Sequence, residues 1–344
     1  MTRKEIVARD KALTARISLV YLPAKGLPSL ASRGSHQAFD CSRRYRTSGS
    51  ILVRAAHCSG GRSRHCNEMI HQSNPPWPVV LTINEFDPSA GGGIVADLKT
   101  FAAHKCYGVS TITALTVQNR TGATRLFPVK PCVLEYSIQA LLADGHIKAV
   151  KIGMVAGQAN AHVVRQILDA NPELPAVLDP VMRAASGPEL PDARGFEYLK
   201  EHLLSRVSVV TPNLAEAAAL TGLRVDDQES MKAAARKLVE MGARAAVVTG
   251  GHLRKAIDVF FDGLELESFV GDHIKPDNTY GTGCTISSAV AANLALGRQL
   301  RDAVVLGRAF VREAIRKAFP IGPGRVPLNH LHRMLYSAHF GAAR

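Results

Sequence analysis

Short, β-branched apolar runs recur along the chain, most of them without a polar residue at every second position, and they alternate with stretches of helical period. The runs are VVLTI (79 to 83), VSTITAL (109 to 115), IKAVKI (147 to 152), AVLD (176 to 179), VSVV (207 to 210) and RAAVVT (244 to 249). A strand that is apolar on both faces must be covered on both, and strands separated by helices join in parallel. The pattern predicts an α/β fold of three layers, helix, sheet and helix, around a mostly parallel central sheet. After a glycine cluster, GIVADLKTFAAHK sets Ile94, Leu98, Phe101 and Ala102 on one helical face, and further helices are predicted near 133 to 143, 158 to 169 and 193 to 205. AIDVFFDGLELESF (256 to 269) differs: its Asp-Gly between apolar stretches predicts an antiparallel hairpin at the sheet edge. In such sheets ligands bind beyond the carboxyl ends of the strands, where the glycine clusters of this chain fall.

The pattern runs without a linker or repeat from about residue 78 to 332, which reads as one domain followed by a tail, 333 to 344. What precedes it is different. The net charge of +13 is concentrated there: residues 1 to 77 hold 13 Lys/Arg against 4 Asp/Glu, leaving 29 against 25 for the rest. This segment is rich in Ser, Arg and Gly and has little apolar periodicity, so it predicts disorder. Three readings fit it: an organellar presequence, a basic arm for nucleic acid or anionic lipid, or an upstream extension of a protein that starts at Met69. We adopt the last, because MIHQSNPPWPVVLTI leads directly into the first strand. No apolar run approaches the length of a membrane span. Cys41, Cys58 and Cys66 lie in the basic segment and Cys106, Cys132 and Cys284 are scattered without pair spacing, which predicts a reducing, cytoplasmic setting. His57-Cys58 and His65-Cys66 match no familiar zinc spacing.

NTYGTGCTISSAVAANLALG (278 to 297) is where the chain points to chemistry. Gly281 and Gly283 let successive backbone N–H groups turn toward one point, and a helix predicted to begin near Thr285 adds its positive end. Fixed donors of that kind stabilise a developing phosphoryl charge by roughly 3 kcal/mol each. The same field favours the thiolate of Cys284. By itself the motif reads rather as an ordinary glycine turn capped by a buried, inert thiol, since short glycine motifs recur by chance. Its neighbours shift the balance: FDPSAGGGIVADLKT is a second glycine-rich turn from strand to helix, TPNLAEA carries Asn213 and Glu216, and LDPVM carries Asp179. Carboxylates at strand ends beside an anion site suit Mg²⁺ that escorts nucleotide phosphates.

Taken together, DPSAGGGIVADLKT, GVSTITALTVQNRTG, KIGM, LDPVM, VVTPNLAEAAALTG, GGH, NTYGTGCTISSAVAANLALG and GPGRVPLNHLH make residues 78 to 332 resemble one family. It is the hydroxymethylpyrimidine/phosphomethylpyrimidine kinases of thiamine biosynthesis, within the ribokinase-like superfamily. The resemblance implies two ATP-dependent phosphorylations in a homodimer: of the hydroxymethylpyrimidine 4-amino-5-hydroxymethyl-2-methylpyrimidine, and then of its monophosphate to the pyrophosphate. It makes Cys284 the catalytic base and Gly281, Thr282 and Gly283 the anion hole. Asp179, Asn213 and Glu216 would organise Mg²⁺ and its waters, while Gln118, Met154 and Asp87 would bind the pyrimidine.

The chain departs from that family's usual pattern at Asn84, Glu85 and Phe86, which stand where Ala-Gly-Ser or Ala-Gly-Thr is common. Glu85 for glycine adds bulk and negative charge beside the substrate. Thr249 and Ala185 replace frequent phosphate-side residues, and Tyr280 a frequent histidine. Alternatives are a pyridoxal or other vitamin kinase, a non-catalytic pyrimidine sensor on the same fold, and a nucleic-acid binder resting on residues 1 to 77 alone.

Overall fold

The computed structural model describes residues 76 to 182, 193 to 251, 256 to 272 and 280 to 334. The basic segment with Met69 and its cysteines falls outside these residues except at its last two positions, and Ala185, His252 and the tail from 335 also fall outside.

The strands are β1 (Val79–Phe86), β2 (Tyr107–Asn119), β3 (Gly122–Pro128), β4 (Ile147–Ile152), β5 (Ala176–Leu178), β6 (Val209–Val210), β7 (Ala246–Gly250), β8 (Ala256–Phe261) and β9 (Leu266–Gly271). They form one sheet in the order β3-β2-β1-β4-β5-β6-β7-β8-β9. From β2 through β7 every pairing is parallel. β8 and β9 close one edge in antiparallel fashion, as the Asp-Gly signal predicts. The other edge carries an antiparallel strand that the apolar pattern does not reveal. β3 pairs with the end of β2, and Asn119 Oδ1 accepts from the amides of Thr121 and Gly122 to fold the turn. Most of β3 is exposed or half-buried, so it has no apolar run to betray it.

The helices are α1 (Gly93–Ala103), α2 (Pro131–Ala143), α3 (Gln158–Ala170), α4 (Ala193–Tyr198), α5 (Leu214–Thr221), α6 (Gln228–Glu240), α7 (Thr282–Ala295) and α8 (Leu300–Arg316). Where one helix was expected near 193 to 205, α4 passes into a wider π-turn, Leu199–Leu203, and a 3-10 turn, Leu204–Arg206. Successive strand residues point to opposite faces, so the sheet feeds two cores. Leu81, Ile83, Ile152 and Leu178 pack with Ile138 of α2, Val164 of α3 and Leu238 of α6. Val80, Val177 and Val247 pack instead with Phe101 of α1, Ala289 of α7 and Phe310 of α8. The expected three-layer architecture results.

The buried face of α1 is rotated from the expected one. Ile94 and Phe101 are buried, but so are Asp97 and Thr100, while Ala102 is exposed and Leu98 only half-buried. A polar group under the sheet therefore decides how this helix sits. Among the described cysteines, Cys106 and Cys284 are free thiols. No described helix is long and apolar enough to cross a membrane.

Candidate active site

The carboxyl ends of the parallel strands open into a cleft of about 1040 Å³. β1 contributes Glu85 to its wall, the loop after it Asp87, β2 Gln118, the segment after β5 Asp179, and the segment after β6 Thr211, Asn213 and Glu216. Gly281, Thr282, Gly283 and Cys284 line it from the start of α7. The structure thus brings together nearly all the residues that the sequence singles out.

α7 starts at Thr282, three residues earlier than expected, so Thr282, Gly283 and Cys284 form its first turn. Its N-cap is Gly281, at φ +86, and no side chain caps it. A Cβ at Gly281 would lie 1.7 Å from the carbonyl oxygen of Gly91, so only glycine allows the two loops to touch. The result is a helix N-terminus facing a cleft, with the amide donors and dipole that suit an anion.

Asp87 has a different situation. Its carboxylate accepts from the amides of Ser89 (2.8 Å), Gly91 (3.2 Å) and Gly92 (2.8 Å), and from the hydroxyls of Ser89 (2.7 Å) and Tyr280 (2.7 Å). These bonds hold its pKa below the usual value although burial opposes them. Asp87 organises the loop into α1, and Tyr280 ties that loop to the start of α7.

Beneath the cleft lies a network that sequence reasoning missed. Lys151 on β4 is fully buried, 3.2 Å from Asp97 and 3.8 Å from Asp179. Asp97 also accepts from Thr82 (2.6 Å), Asn84 (3.0 Å) and Ser288 (2.6 Å). Asn84 Nδ2 lies 3.9 Å from Cys284 Sγ, and its Oδ1 accepts from the amide of Met154 at 2.9 Å. Asn84 therefore links the buried charges to the thiol. The signals available were a lysine inside an apolar strand and an aspartate inside an apolar helix.

Two expectations need correction. Burial pushes the Cys284 thiol well above its ordinary value; Lys151 opposes this, but Asp179, Glu85 and Asp97 add to it. Burial, with the carboxylates added, outweighs the lysine, so the free protein holds a neutral thiol. Met154 does not line the cleft. It is fully buried in a small cluster with Ala114 and Ala156, which takes up the side chain expected on the ring.

The remaining acids are also displaced from ordinary values. Burial, reinforced by Asp179, raises Glu216 to about 8. Asn213 and Glu216 cap each other across the start of α5: Asn213 Oδ1 accepts from the Glu216 amide at 3.0 Å and Glu216 Oε2 from the Asn213 amide at 2.9 Å. Asp179 is raised as well, chiefly by burial. Burial raises Glu85 to about 7, so its bulk is present but its negative charge is only partial near neutrality. Thr249 turns its hydroxyl to the Pro212 carbonyl at 3.3 Å and lines the cleft.

Residues 87 to 329 match the family model described as phosphomethylpyrimidine kinase. The chain belongs to that family. It is 42% identical over 260 residues to a hydroxymethylpyrimidine/phosphomethylpyrimidine kinase of Rhizobium meliloti, covering 74% of this chain and 97% of that one. It is 39% identical over 267 residues to the thiamine biosynthesis bifunctional protein ThiED of Geobacter sulfurreducens, covering 76% of this chain but only 54% of that protein. Among solved structures, the pyridoxal kinase of Staphylococcus aureus in complex with AMP-PCP and pyridoxal is similar, with a TM-score of 0.68, 31% identity, and coverage of 75% of this chain and 96% of that one. The fold is accordingly ribokinase-like, and the family is one of phosphotransferases.

Proposed function

We propose that this phosphomethylpyrimidine kinase family member transfers the terminal phosphoryl group of ATP to hydroxymethylpyrimidine, and then to its monophosphate, as a step in thiamine biosynthesis. The observation that carries the reading is the uncapped start of α7, with Cys284 in its first turn, opening onto the same cleft as Gln118. A thiol at this position is what the family resemblance implies.

Gly281, Thr282 and Gly283 present the anion hole to the migrating phosphoryl group, where fixed donors stabilise charge as it develops. Gln118 faces the pyrimidine; its Oε1 is buried without a partner, as expected of an atom waiting for a ligand. Asp87 shapes the pyrimidine end through its loop. Mg²⁺ fits Asp179 and Glu216. Both line the cleft, and each carboxyl is raised by burial and by a neighbouring acid, so a cation between them is what would let both ionise. Among the described residues no three His, Cys, Asp or Glu side chains cluster around one point, which suits an ion that keeps waters and phosphate oxygens as ligands. Asn213 would hold such a water. When bound, the metal would carry the polyphosphate and neutralise these carboxylates. Lys151, which opposes the raised proton affinity of Cys284, and the α7 N-terminus favour its thiolate. Sγ takes the proton of the substrate hydroxymethyl group as its oxygen bonds to phosphorus and the bond to ADP breaks.

The body carries little net charge, which supports a small-molecule partner over nucleic acid. Leu115 and Phe127, paired across β2 and β3, and Val117 are exposed, and they offer a second copy an apolar face for a homodimer. ATP as co-substrate and a free active-site thiol fit the cytoplasm. The domain reading, with the kinase body in 78 to 332, agrees with the span of the family match.

The test is ADP release by the full chain with ATP and Mg²⁺ on hydroxymethylpyrimidine, its monophosphate and pyridoxal. Faster turnover of both pyrimidines supports the reading. Preference for pyridoxal makes the chain a pyridoxal kinase, and binding without ADP makes it a sensor.

A further inference from the structure

Glu85 is an anomaly within the site. It is 6% exposed, it lines the cleft, and its Oε2 has no hydrogen-bond partner. Its backbone is fixed from two sides. The amide donates to Asn84 Oδ1 at 3.0 Å, and Gly93 comes so near the Glu85 carbonyl that a Cβ there would lie 2.4 Å from the oxygen. A carboxyl with a purely structural role would have found a donor, because an unmade buried hydrogen bond is destabilising. The second unpartnered side-chain oxygen in the cleft wall is Oε1 of Gln118. Both therefore need donors from whatever enters the cleft.

We propose that Glu85 is a specificity-determining residue: its carboxyl group, with the Gln118 amide, pairs with the amino-bearing edge of an aminopyrimidine alcohol and selects it over rings that lack the amine. This inference rests on the kinase reading above and deepens it. An exocyclic amine supplies N–H donors, and the adjacent ring nitrogen is an acceptor. A carboxyl group matches that edge in either protonation state, as acid to neutral ring or as carboxylate to protonated ring, since the two differ only in where one proton sits. Burial favours the neutral acid in the empty site, which holds Glu85 near 7 and leaves it able to take either role. Pyridoxal has no amine beside its ring nitrogen and cannot form that two-bond edge.

The experiment compares kcat and KM of wild type, Glu85→Gln and Glu85→Ala on hydroxymethylpyrimidine, on its analogue with oxygen in place of the amine, and on pyridoxal, with melting curves of each protein. Wild type prefers the amine. Glu85→Ala should lower the amine-to-oxygen preference roughly 10- to 100-fold, mainly through KM, and Glu85→Gln, which also donates and accepts, should restore most of it. A ratio in Glu85→Ala equal to wild type overturns the proposal while the kinase reading stands. If Glu85→Ala fails to melt cooperatively, Glu85→Gly replaces it, and the same ratio decides. Wild type that releases ADP only with pyridoxal sinks both readings together.

Discussion

The loop into α1 and the loop into α7 use the same materials, glycines between a strand-like run and an uncapped helix, yet their amides end up with opposite occupants. Asp87 reaches back and fills the first with its own carboxylate, taking the amides of Ser89, Gly91 and Gly92. The second is capped by Gly281, which has no side chain to turn back on its amides, and it lines the cleft. On the proposed function, the closed turn serves structure and the open one receives the phosphoryl group. Tyr280 joins them, and the close approach of Gly281 to Gly91 fixes their distance.

The most disruptive test acts beneath both turns. Lys151 ties Asp97, on α1, to Asp179, beside α7. Lys151→Met leaves two buried carboxylates without their cation, and urea unfolding should show a loss of about 3–5 kcal/mol. A loss below about 1 kcal/mol would mean the two turns are not joined through this charge.

The second test titrates the buried acids of the cleft. Glu85 and Glu216 have folded pKa values raised to about 7 and about 8 from an ordinary 4.5. Each therefore contributes stability that is full below 4.5 and is lost as pH rises through the folded value. His104 and His330 are lowered, to about 4 and about 3, and act in the opposite sense, with their stability lost below 6.5. Above 6.5 they are neutral folded and unfolded alike, so between pH 6.5 and 8 the acids decide. Unliganded protein should lose on the order of 2 kcal/mol across that window, and MgATP should flatten the slope. A stability that rises with pH there would contradict the assigned burial of these acids.

The third test is confined to the bridge between the turns. Tyr280→Phe removes the donor to Asp87 but keeps the ring, and should cost about 1 kcal/mol in thermal unfolding. No change would show that Asp87 is satisfied by its amides and Ser89 alone.

The comparison also shows what was legible beforehand. Strands such as VVLTI and IKAVKI were plain because burial on both faces demands apolar residues at nearly every position. β3 was hidden because an edge strand needs no such run. Both glycine turns could be read as helix starts, but nothing local says that Asp87 closes one of them. The Lys151 network was hidden for the same reason: its members lie 54 and 28 residues apart along the chain and meet only through the fold. The thiol's raised proton affinity was not legible because the motif displays the glycines and the helix end, while the burial and the three acids that oppose them come from other elements.

The central claim is that the open turn, with Cys284 at its first residues, is where the phosphoryl group is transferred. Turnover of Cys284→Ala with ATP, Mg²⁺ and hydroxymethylpyrimidine tests it directly, alongside nucleotide affinity and a melting curve. A fall in kcat of roughly 10²- to 10⁴-fold, with ATP affinity and melting little changed, is the predicted result. Undiminished kcat in a folded Cys284→Ala protein would contradict it.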